Sequence, residues 1–270
     1  MSYANILVSV DFAEAAPDRV RLAAALARRF DATLTGAAAA EVPAPLLAHD
    51  IRDAQAQYER SKVKILQDVE RAEAVFARCA GVAPRTAWLG GTDRAFAHLV
   101  EKGRAADLLV VGGAGETEID PGPFGVAVGP VLMEAGRPVL VVPQAHAGEP
   151  GRRIVVAWKD TPEARRAVSG ALPFLRSADH VLVVTTGRGA RLEGAEEVAG
   201  HLRLHGASVT THLLTTTVGD GEEILRFSRE EHADLIVMGA YGHSRLREWA
   251  FGGATRHILQ ASNLCCLMAH

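Results

Sequence analysis

The sequence is poor in aromatic residues and cysteines, and it has no apolar run long enough to cross a membrane. Aromatic residues make up 5% of the 270 residues, and the three cysteines are too few for a disulfide framework. The formal net charge of −3 argues against nucleic-acid binding, which requires a basic face. The first residues lead into an apolar strand pattern rather than a signal peptide. We therefore expect a cytoplasmic protein with neither nucleic acid nor membrane as a partner.

Several enzyme signatures are also missing from the sequence. It has no phosphate loop of the form G-x4-G-K-[ST], no dinucleotide fingerprint in a suitable context and no G-x-S-x-G nucleophile elbow. Glu197, His201 and His205 are spaced by four on one predicted helix face, which would suit metal ligands, but most such faces are solvated. We therefore predict no catalytic residues and no metal site.

One pattern of strands and helices occurs twice in the chain. In the first half, apolar runs predict strands at 5–11, 32–39, 82–89, 107–113 and 137–143, and amphipathic periodicity predicts helices at 17–30, 51–80 and from a cap at Thr92 or Asp93 to Lys102. In the second half, strands are predicted at 152–158, 181–185, 208–214, 233–239 and 265–269, and helices at 162–175, 190–205, from Asp220 or Gly221, and after Gly253. The helix at 51–80 is predicted to be apolar on one face, formed by Ile51, Ala54, Tyr58, Leu66, Val69, Ala72, Phe76 and Cys79.

The two copies define two domains. Ile6 precedes its counterpart Ile154 by 148 positions and Gly112 precedes Gly239 by 127, so the second copy is 21 residues shorter, mostly at the long helix. We predict a first domain at 1–143, a linker at 144–151 and a second domain at 152–270. Alternating strands and helices indicate an α/β fold, with a parallel sheet covered on both faces. In such sheets ligands bind beyond the carboxyl ends of the strands, where the strand order reverses.

The fourth strand of each copy is followed by three glycines at the same spacing. They are Gly112, Gly115 and Gly125 in the first copy, and Gly239, Gly242 and Gly252 in the second. Such a turn, followed by the N-terminus of a helix, can present bare backbone N–H groups to a phosphate. The alternative is a tight strand-to-helix turn without a ligand.

This glycine spacing, together with an aspartate that ends the first strand in ILVSVD, resembles the universal stress protein family in its tandem form. The resemblance implies that each domain is a five-stranded parallel sheet of flavodoxin-like (Rossmann-like) topology, and that the two domains pair through their last strands. It also implies a regulatory stress-response module that binds ATP or another adenine nucleotide without efficient catalysis. Whether Mg²⁺ accompanies the nucleotide, and whether the chain forms a homodimer, stays open.

The resemblance favours the second copy as the nucleotide site. The positions implied there are Ala157, Lys159, Asp160, Met238, Gly239, Gly242, His243, Arg245, Gly252, Gly253, Ala254 and Thr255, and those implied in the first copy are Asp11, Gly112, Gly115 and Gly125. The second loop is basic, whereas the first carries Glu116, Glu118 and Asp120, which would repel a phosphate. We expect the second site to bind and the first to be degenerate.

Both copies depart from the family pattern. The hydroxyl residue expected after the third glycine is Gly253 in one and Val126 in the other, and Lys159 replaces the aspartate in the second copy. Asp11 could instead hydrogen-bond a local turn. Two other functions therefore stay open, a scaffold in which both pockets are empty and a slow ATPase. Cys265 and Cys266, adjacent on a strand, should point to opposite faces and serve packing.

Overall fold

A computed structural model describes residues 2–45, 47–113, 122–146, 148–187, 194–215, 219–242 and 253–270 of the chain. In the first half the strands are β1 (Asn5–Ser9), β2 (Thr33–Ala39), β3 (Arg85–Gly91), β4 (Leu108–Gly112) and β5 (Val139–Val142). The helices are α1 (Ala16–Phe30), α2 (Ile51–Cys79), α3 (Ala95–Lys102) and α4 (Val128–Glu134). Helix α1 has Pro17 in its first turn, where the missing N–H costs nothing.

The second half repeats this order. Its strands are β6 (Arg153–Ala157), β7 (His180–Thr186), β8 (Val209–Leu214), β9 (Leu235–Gly239) and β10 (Cys265–Ala269). Its helices are α5 (Pro162–Ser177), α6 (Ala195–Leu204), α7 (Asp220–Glu230) and α8 (Ala254–Ala261). The predicted α/β class is confirmed. No helix in the described ranges is both long enough and apolar enough to span a membrane.

The strands form one ten-stranded sheet in the order β3-β2-β1-β4-β5-β10-β9-β6-β7-β8. Pairing is parallel within each half, whereas β5 and β10 are antiparallel, with Leu140 opposite Leu267. Each half has the order of the first five strands of a Rossmann sheet. The order reverses between β1 and β4 and again between β6 and β9, which are the two places where a ligand site is expected.

Side chains alternate between two cores, one on each face of the sheet. One core contains residues of α1, α2, α5 and α6, and the other contains residues of α3, α4, α7 and α8. Cys265 belongs to the first core and Cys266 to the second, which confirms that these neighbours point to opposite faces. Both are buried, as is Cys79.

Helix α2 has the predicted length, but only its second half is buried. Ile51 is 85% exposed and Tyr58 is 40% exposed, and Ile65 is the first buried residue along the helix. A helix of 29 residues spans roughly 43 Å, whereas the seven residues of β2 span roughly 23 Å. The predicted apolar face therefore extends past the sheet that would cover it, and Leu66 is also exposed.

The starts of β3 and α3 also differ from the prediction. Strand β3 begins at Arg85 rather than at 82, because a turn joins it to the preceding helix and Ala83 donates a backbone hydrogen bond to Ala80 at 2.9 Å. Helix α3 has Arg94 at its N-cap position with no side-chain cap, so neither Thr92 nor Asp93 caps it.

Three of the chain's few aromatic residues meet where α1 packs against α5. The Tyr3 and Phe30 ring centroids are 5.0 Å apart, and those of Phe30 and Phe174 are also 5.0 Å apart. The Tyr3 hydroxyl donates to the Gly170 carbonyl at 2.6 Å, and burial raises the pKa of Tyr3 above its usual value. Arg29 donates to the Pro150 carbonyl at 2.9 Å. This junction binds the first half to the second.

The tripeptide Ala-Asp-Leu (ADL) occurs at 106–108 and again at 233–235, and its aspartate has the same structural role in both halves. The Asp107 carboxylate accepts hydrogen bonds from the backbone N–H groups of Ala4 and Asn5, at 2.7 and 3.0 Å. The Asp234 carboxylate accepts from those of Gly151 at 2.7 Å and Arg152 at 2.9 Å. Each aspartate, placed just before the fourth strand of its half, thus fixes the start of the first strand.

Replacing Asp234 by alanine should lower the free energy of unfolding by about 1.5–3 kcal/mol, because hydrogen bonds to a charged acceptor are lost. Urea denaturation followed by circular dichroism measures this. Asp179→Ala is the control, since Asp179 forms an ion pair with Arg152 in which both side chains are at least 70% exposed. Equal stability of the two variants would contradict the assigned role of Asp234.

The cysteine thiols should be unreactive in the folded protein. Burial raises the pKa of Cys266 to about 12 and raises that of Cys265 further above its usual range, so both stay protonated near pH 8. We expect no reaction of Cys265 or Cys266 with a disulfide reagent in the native state, and reaction of all three cysteines in concentrated guanidinium chloride. Rapid native labelling of either residue, located by peptide mass spectrometry, would contradict this.

Candidate functional site

The second reversal of strand order lies between β6 and β9, and a ligand crevice is expected beyond the carboxyl ends of these strands. Ala157 and Met238, the register partners at these ends, are 9% and 6% exposed, and their side chains belong to the core. The chain leaves β6 towards α5 on one face and leaves β9 towards α8 on the other. These two residues can therefore offer a ligand little beyond their backbone.

Gly239, at the end of β9, is required by packing. A methyl group built on it would lie 2.6 Å from the Ala164 backbone nitrogen and 2.9 Å from Glu163 Cβ. Backbone atoms of α5 cannot easily move aside, so only glycine permits this close approach of helix and strand. The sequence predicted a phosphate role for Gly239, and the structure shows a separate reason for a glycine there.

Gly242 has no such steric reason. The one described atom within 4 Å of a methyl group built on it is Glu163 Oε2, at 3.8 Å, which is an ordinary contact distance. Before it, Tyr241 has a φ of +53°, a left-handed conformation that is uncommon for a bulky residue. The Tyr241 hydroxyl lies 3.0 Å from the position of a Cβ on Gly129 in α4, so this turn reaches the other domain.

Glu163 was not predicted as a site residue, yet its carboxylate lies beside the glycine turn. The residue is 5% exposed, and Arg166 Nη2 donates to its Oε1 at 3.3 Å. Its other oxygen, Oε2, faces Gly242. Thr161 caps the helix, accepting from the Ala164 N–H at 3.3 Å, and this cap orients the first turn. In the sequence, a glutamate in a first helical turn indicates only a favourable interaction with the helix dipole.

The other predicted residues of this site lie around the crevice. Lys159 is exposed, and Asp160 forms an ion pair with Arg165 in which both side chains are 60% exposed. Gly253 is the N-cap residue of α8, and Thr255 in its first turn is 7% exposed. Ala254 is the first residue of α8. Three predicted residues, His243, Arg245 and Gly252, lie outside the described residues.

The equivalent crevice in the first half contains a buried ion pair. Arg19 Nη2 is 2.7 Å from Asp11 Oδ2, and the two side chains are 3% and 14% exposed. Arg19 Nε also donates to the Ser9 carbonyl at 3.1 Å, and Asp11 Oδ1 accepts from the Ala13 N–H at 3.1 Å. Asp11 therefore does hydrogen-bond a local turn. A methyl group built on Gly112 would overlap the Arg19 guanidinium, which fills the space before this glycine.

A small cavity lies beside Ser9 in the described part of this half. It measures about 10 Å³ between Ser9, His98, Phe124 and Val126, which is space for one water molecule at most. The N–H of Gly125 donates to the Gly122 carbonyl at 3.2 Å, and Gly115 falls in a range that the structure does not describe.

The comparisons with known proteins point to one family. A model described as the universal stress protein family matches residues 2–143 and 151–270. A universal stress protein of Synechocystis is 27% identical over 168 residues, which are 58% of this chain and 56% of that protein. The matched part is thus little more than half the length of this curated relative.

Two solved structures show the same fold. A universal stress protein from Archaeoglobus fulgidus superimposes with a TM-score of 0.68 at 14% identity, covering 100% of this chain and 96% of its own. A functionally unknown protein from Pseudomonas aeruginosa gives a TM-score of 0.54 at 15% identity, covering 98% and 92% of the two chains. At these identities the similarity concerns the fold alone.

Replacing Asp11 by asparagine should lower the free energy of unfolding by about 3 kcal/mol, because the buried Arg19 charge then lacks its partner. Urea denaturation measures the effect. Asp18→Asn is the matched control, since Asp18 forms an ion pair with Arg21 in which both side chains are more than half exposed, and it should cost less than about 1 kcal/mol. The double variant Asp11→Asn, Arg19→Met should be more stable than Asp11→Asn alone, because the unpaired buried charge is then removed. A double variant that is less stable than Asp11→Asn would contradict the role given to the ion pair.

Proposed function

The chain belongs to the universal stress protein family, and on that premise we propose that its second domain binds one adenine nucleotide while its first domain binds none. In this proposal it is a cytoplasmic, regulatory stress-response module without efficient catalysis. The first domain comprises residues 1–143, the linker 144–151 and the second domain 152–270.

The observation that carries the proposal is the difference between the two crevices. In the first, the Arg19 guanidinium lies where a methyl group on Gly112 would be, and Phe124 lines a cavity of only about 10 Å³. In the second, no described atom lies closer than 3.8 Å to a methyl group built on Gly242, and Gly253 is the N-cap residue of α8. Backbone N–H groups in such a turn and at a helix N-terminus favour a phosphate.

Named residues take defined roles in this proposal. Gly242, Gly253 and Ala254 offer backbone N–H groups to the phosphates, and Thr255 follows them in the first turn of α8. Lys159 is exposed after β6 and could reach a phosphate. His243 and Arg245 follow Gly242 in the sequence and add basic side chains to this part of the chain. The proposed ligand is ATP with Mg²⁺, or another adenine nucleotide.

The absence of efficient catalysis is also part of the proposal. Among the described residues no three His, Cys, Asp or Glu side chains are grouped to hold a metal ion of the protein's own. A cradle of backbone N–H groups binds phosphate without activating water, so we expect a nucleotide that is held rather than hydrolysed.

The protein should bind close to one equivalent of ATP or AMP in isothermal titration calorimetry, and nucleotide released by denaturation should not exceed one equivalent. Gly242→Val should weaken binding at least tenfold, because the branched side chain fills the open side of the turn. Gly81→Val is the control, since Gly81 has no atom within 4 Å of a built methyl group in the described structure. Circular dichroism checks that both variants are folded.

Each other result would reject part of this proposal. No bound nucleotide and no heat of titration would favour a scaffold whose pockets are empty. Two equivalents would show that the first domain also binds. Steady phosphate release that disappears in Gly242→Val would instead indicate an ATPase.

A further inference from the structure

We infer that His201 and His205 of the second domain together bind one divalent transition-metal ion of the kind that prefers imidazole nitrogen, such as Ni²⁺, Cu²⁺ or Zn²⁺. Both residues lie at the C-terminal end of helix α6, which leads into the amino end of β8. The glycine turn instead follows the carboxyl end of β9. The inference therefore adds a second kind of ligand and does not depend on the proposed nucleotide site.

The helix sets the spacing of the two imidazoles. His201 lies in the last turn of α6, and His205 is its C-cap residue. Side chains four residues apart on a helix lie on the same face, one turn above another. At His205 φ is −86° and ψ is 2°, and its N–H donates to the Leu202 carbonyl at 3.0 Å, so the chain is still turning as a helix does. The pair therefore has the arrangement of two ligands on one helical face.

The distance between the two rings fits a shared metal ion. Their centroids are 4.7 Å apart. A metal–nitrogen bond of about 2.0–2.1 Å places each ring centroid about 3.2 Å from the ion, so two imidazoles bound at right angles have centroids about 4.5 Å apart. The ring planes are inclined at 76°, edge towards face. Because the terminal torsion of a histidine has broad preferences, rotation of these exposed rings directs one nitrogen of each at the same ion.

The ring nitrogens of this pair are available to a metal. His201 and His205 are exposed, and within the described part of the chain neither ring has a hydrogen-bond or ion-pair partner. A neutral imidazole has one unprotonated nitrogen that can bind a metal. A second histidine pair in this domain differs, because Nε2 of His180 and Nε2 of His212 lie 3.0 and 2.9 Å from Thr210 Oγ1. The nitrogens of that pair are already occupied by the hydroxyl group.

The charges around the α6 pair favour a cation on one side and oppose it on another. The C-terminal end of a helix carries partial negative charge, and Glu197 lies one turn before His201 on α6. Arg29 and Arg176 line a cavity that His205 also lines, and their charges oppose a bound cation. Binding of an ion here therefore rests on coordination by nitrogen rather than on charge. This disfavours Mg²⁺ and Ca²⁺, which prefer oxygen ligands.

Two histidines leave the remaining coordination positions of the ion to water. Among the described residues no three His, Cys, Asp or Glu side chains are placed to hold a metal ion, so Glu197 does not complete the set that its spacing suggested. We therefore expect reversible binding, weaker than at a structural zinc site with its four protein ligands. From the spacing alone a solvated face was expected, and the close approach of the two rings is the reason to propose a site.

The test is isothermal titration calorimetry with NiCl₂, on protein produced without a histidine tag. Wild-type protein should bind about one equivalent of Ni²⁺, and Ni²⁺ should raise its melting temperature, because only the folded helix holds the two ligands together. His201→Asn should weaken binding by at least about tenfold, since loss of a partner that merely orients a ligand already costs about 10–100-fold in metal affinity. Asparagine and histidine have similar helix propensities, so this variant should keep the helix.

His180→Asn is the matched control, because it removes one histidine of the pair whose nitrogens are occupied by Thr210. It should keep the wild-type affinity for Ni²⁺. Excess Mg²⁺ should not displace Ni²⁺, since Mg²⁺ prefers oxygen ligands. Circular dichroism checks that both variants are folded.

Each contrary result would overturn the inference. Wild-type protein that gives neither a heat of titration nor a higher melting temperature with Ni²⁺ has no such site. Unchanged affinity in His201→Asn would place the ion elsewhere, and an equal loss in His180→Asn would show that Ni²⁺ does not select the α6 pair. Displacement by Mg²⁺ would indicate oxygen ligands instead. None of these results bears on nucleotide binding, which is measured separately.

Discussion

The antiparallel pairing of β5 with β10 is the interaction on which the rest of the structure depends. It joins two parallel half-sheets into one sheet and buries an edge of each, which would otherwise expose unpaired backbone groups. Because the pairing is antiparallel, the strands of the two halves run in opposite directions. The carboxyl ends of the strands in the two halves therefore point in opposite directions, and so do the two places where the strand order reverses.

The residues at these two places carry opposite charges. The Arg19 guanidinium lies in the crevice of the first half, paired with Asp11, and the Glu163 carboxylate lies in that of the second. The buried Arg19 charge is compensated within the protein by the Asp11 carboxylate. Glu163 is also buried beside a cation, since Arg166 donates to its Oε1. The two halves of the duplicated fold thus bury charged side chains of opposite sign at equivalent ends of their strands.

Much of the fold could be predicted from the sequence, because long apolar runs and the repeated ADL motif mark the strands. The fold class and the opposite faces of Cys265 and Cys266 are confirmed on this basis. The length of α2 was predicted closely, but its exposed first half was not, because periodicity shows which face is apolar and not how far the sheet extends.

The site was less predictable, since its decisive side chains have no motif. Arg19 and Glu163 stand in helical segments rich in charges, where such residues are usually solvated, and only the packing of α1 and α5 against the strand ends buries them. Gly239 is a second case in which the sequence was ambiguous. A glycine at this position can serve either a phosphate-binding turn or the close approach of α5 to β9, and a single sequence cannot separate these two explanations.

The order of the strands also has a consequence for synthesis. Strand β5 is 0–5% exposed in the folded protein, yet its partner β10 begins only at Cys265, far later in the chain. At ribosomal rates of roughly 5–20 residues per second, β10 is synthesised on the order of 10 s after β5, whose sequence is VLVV. During this interval the nascent first half exposes an apolar edge that another chain could pair with. The tandem arrangement shortens this exposure, because the partner strand arrives on the same chain rather than by diffusion.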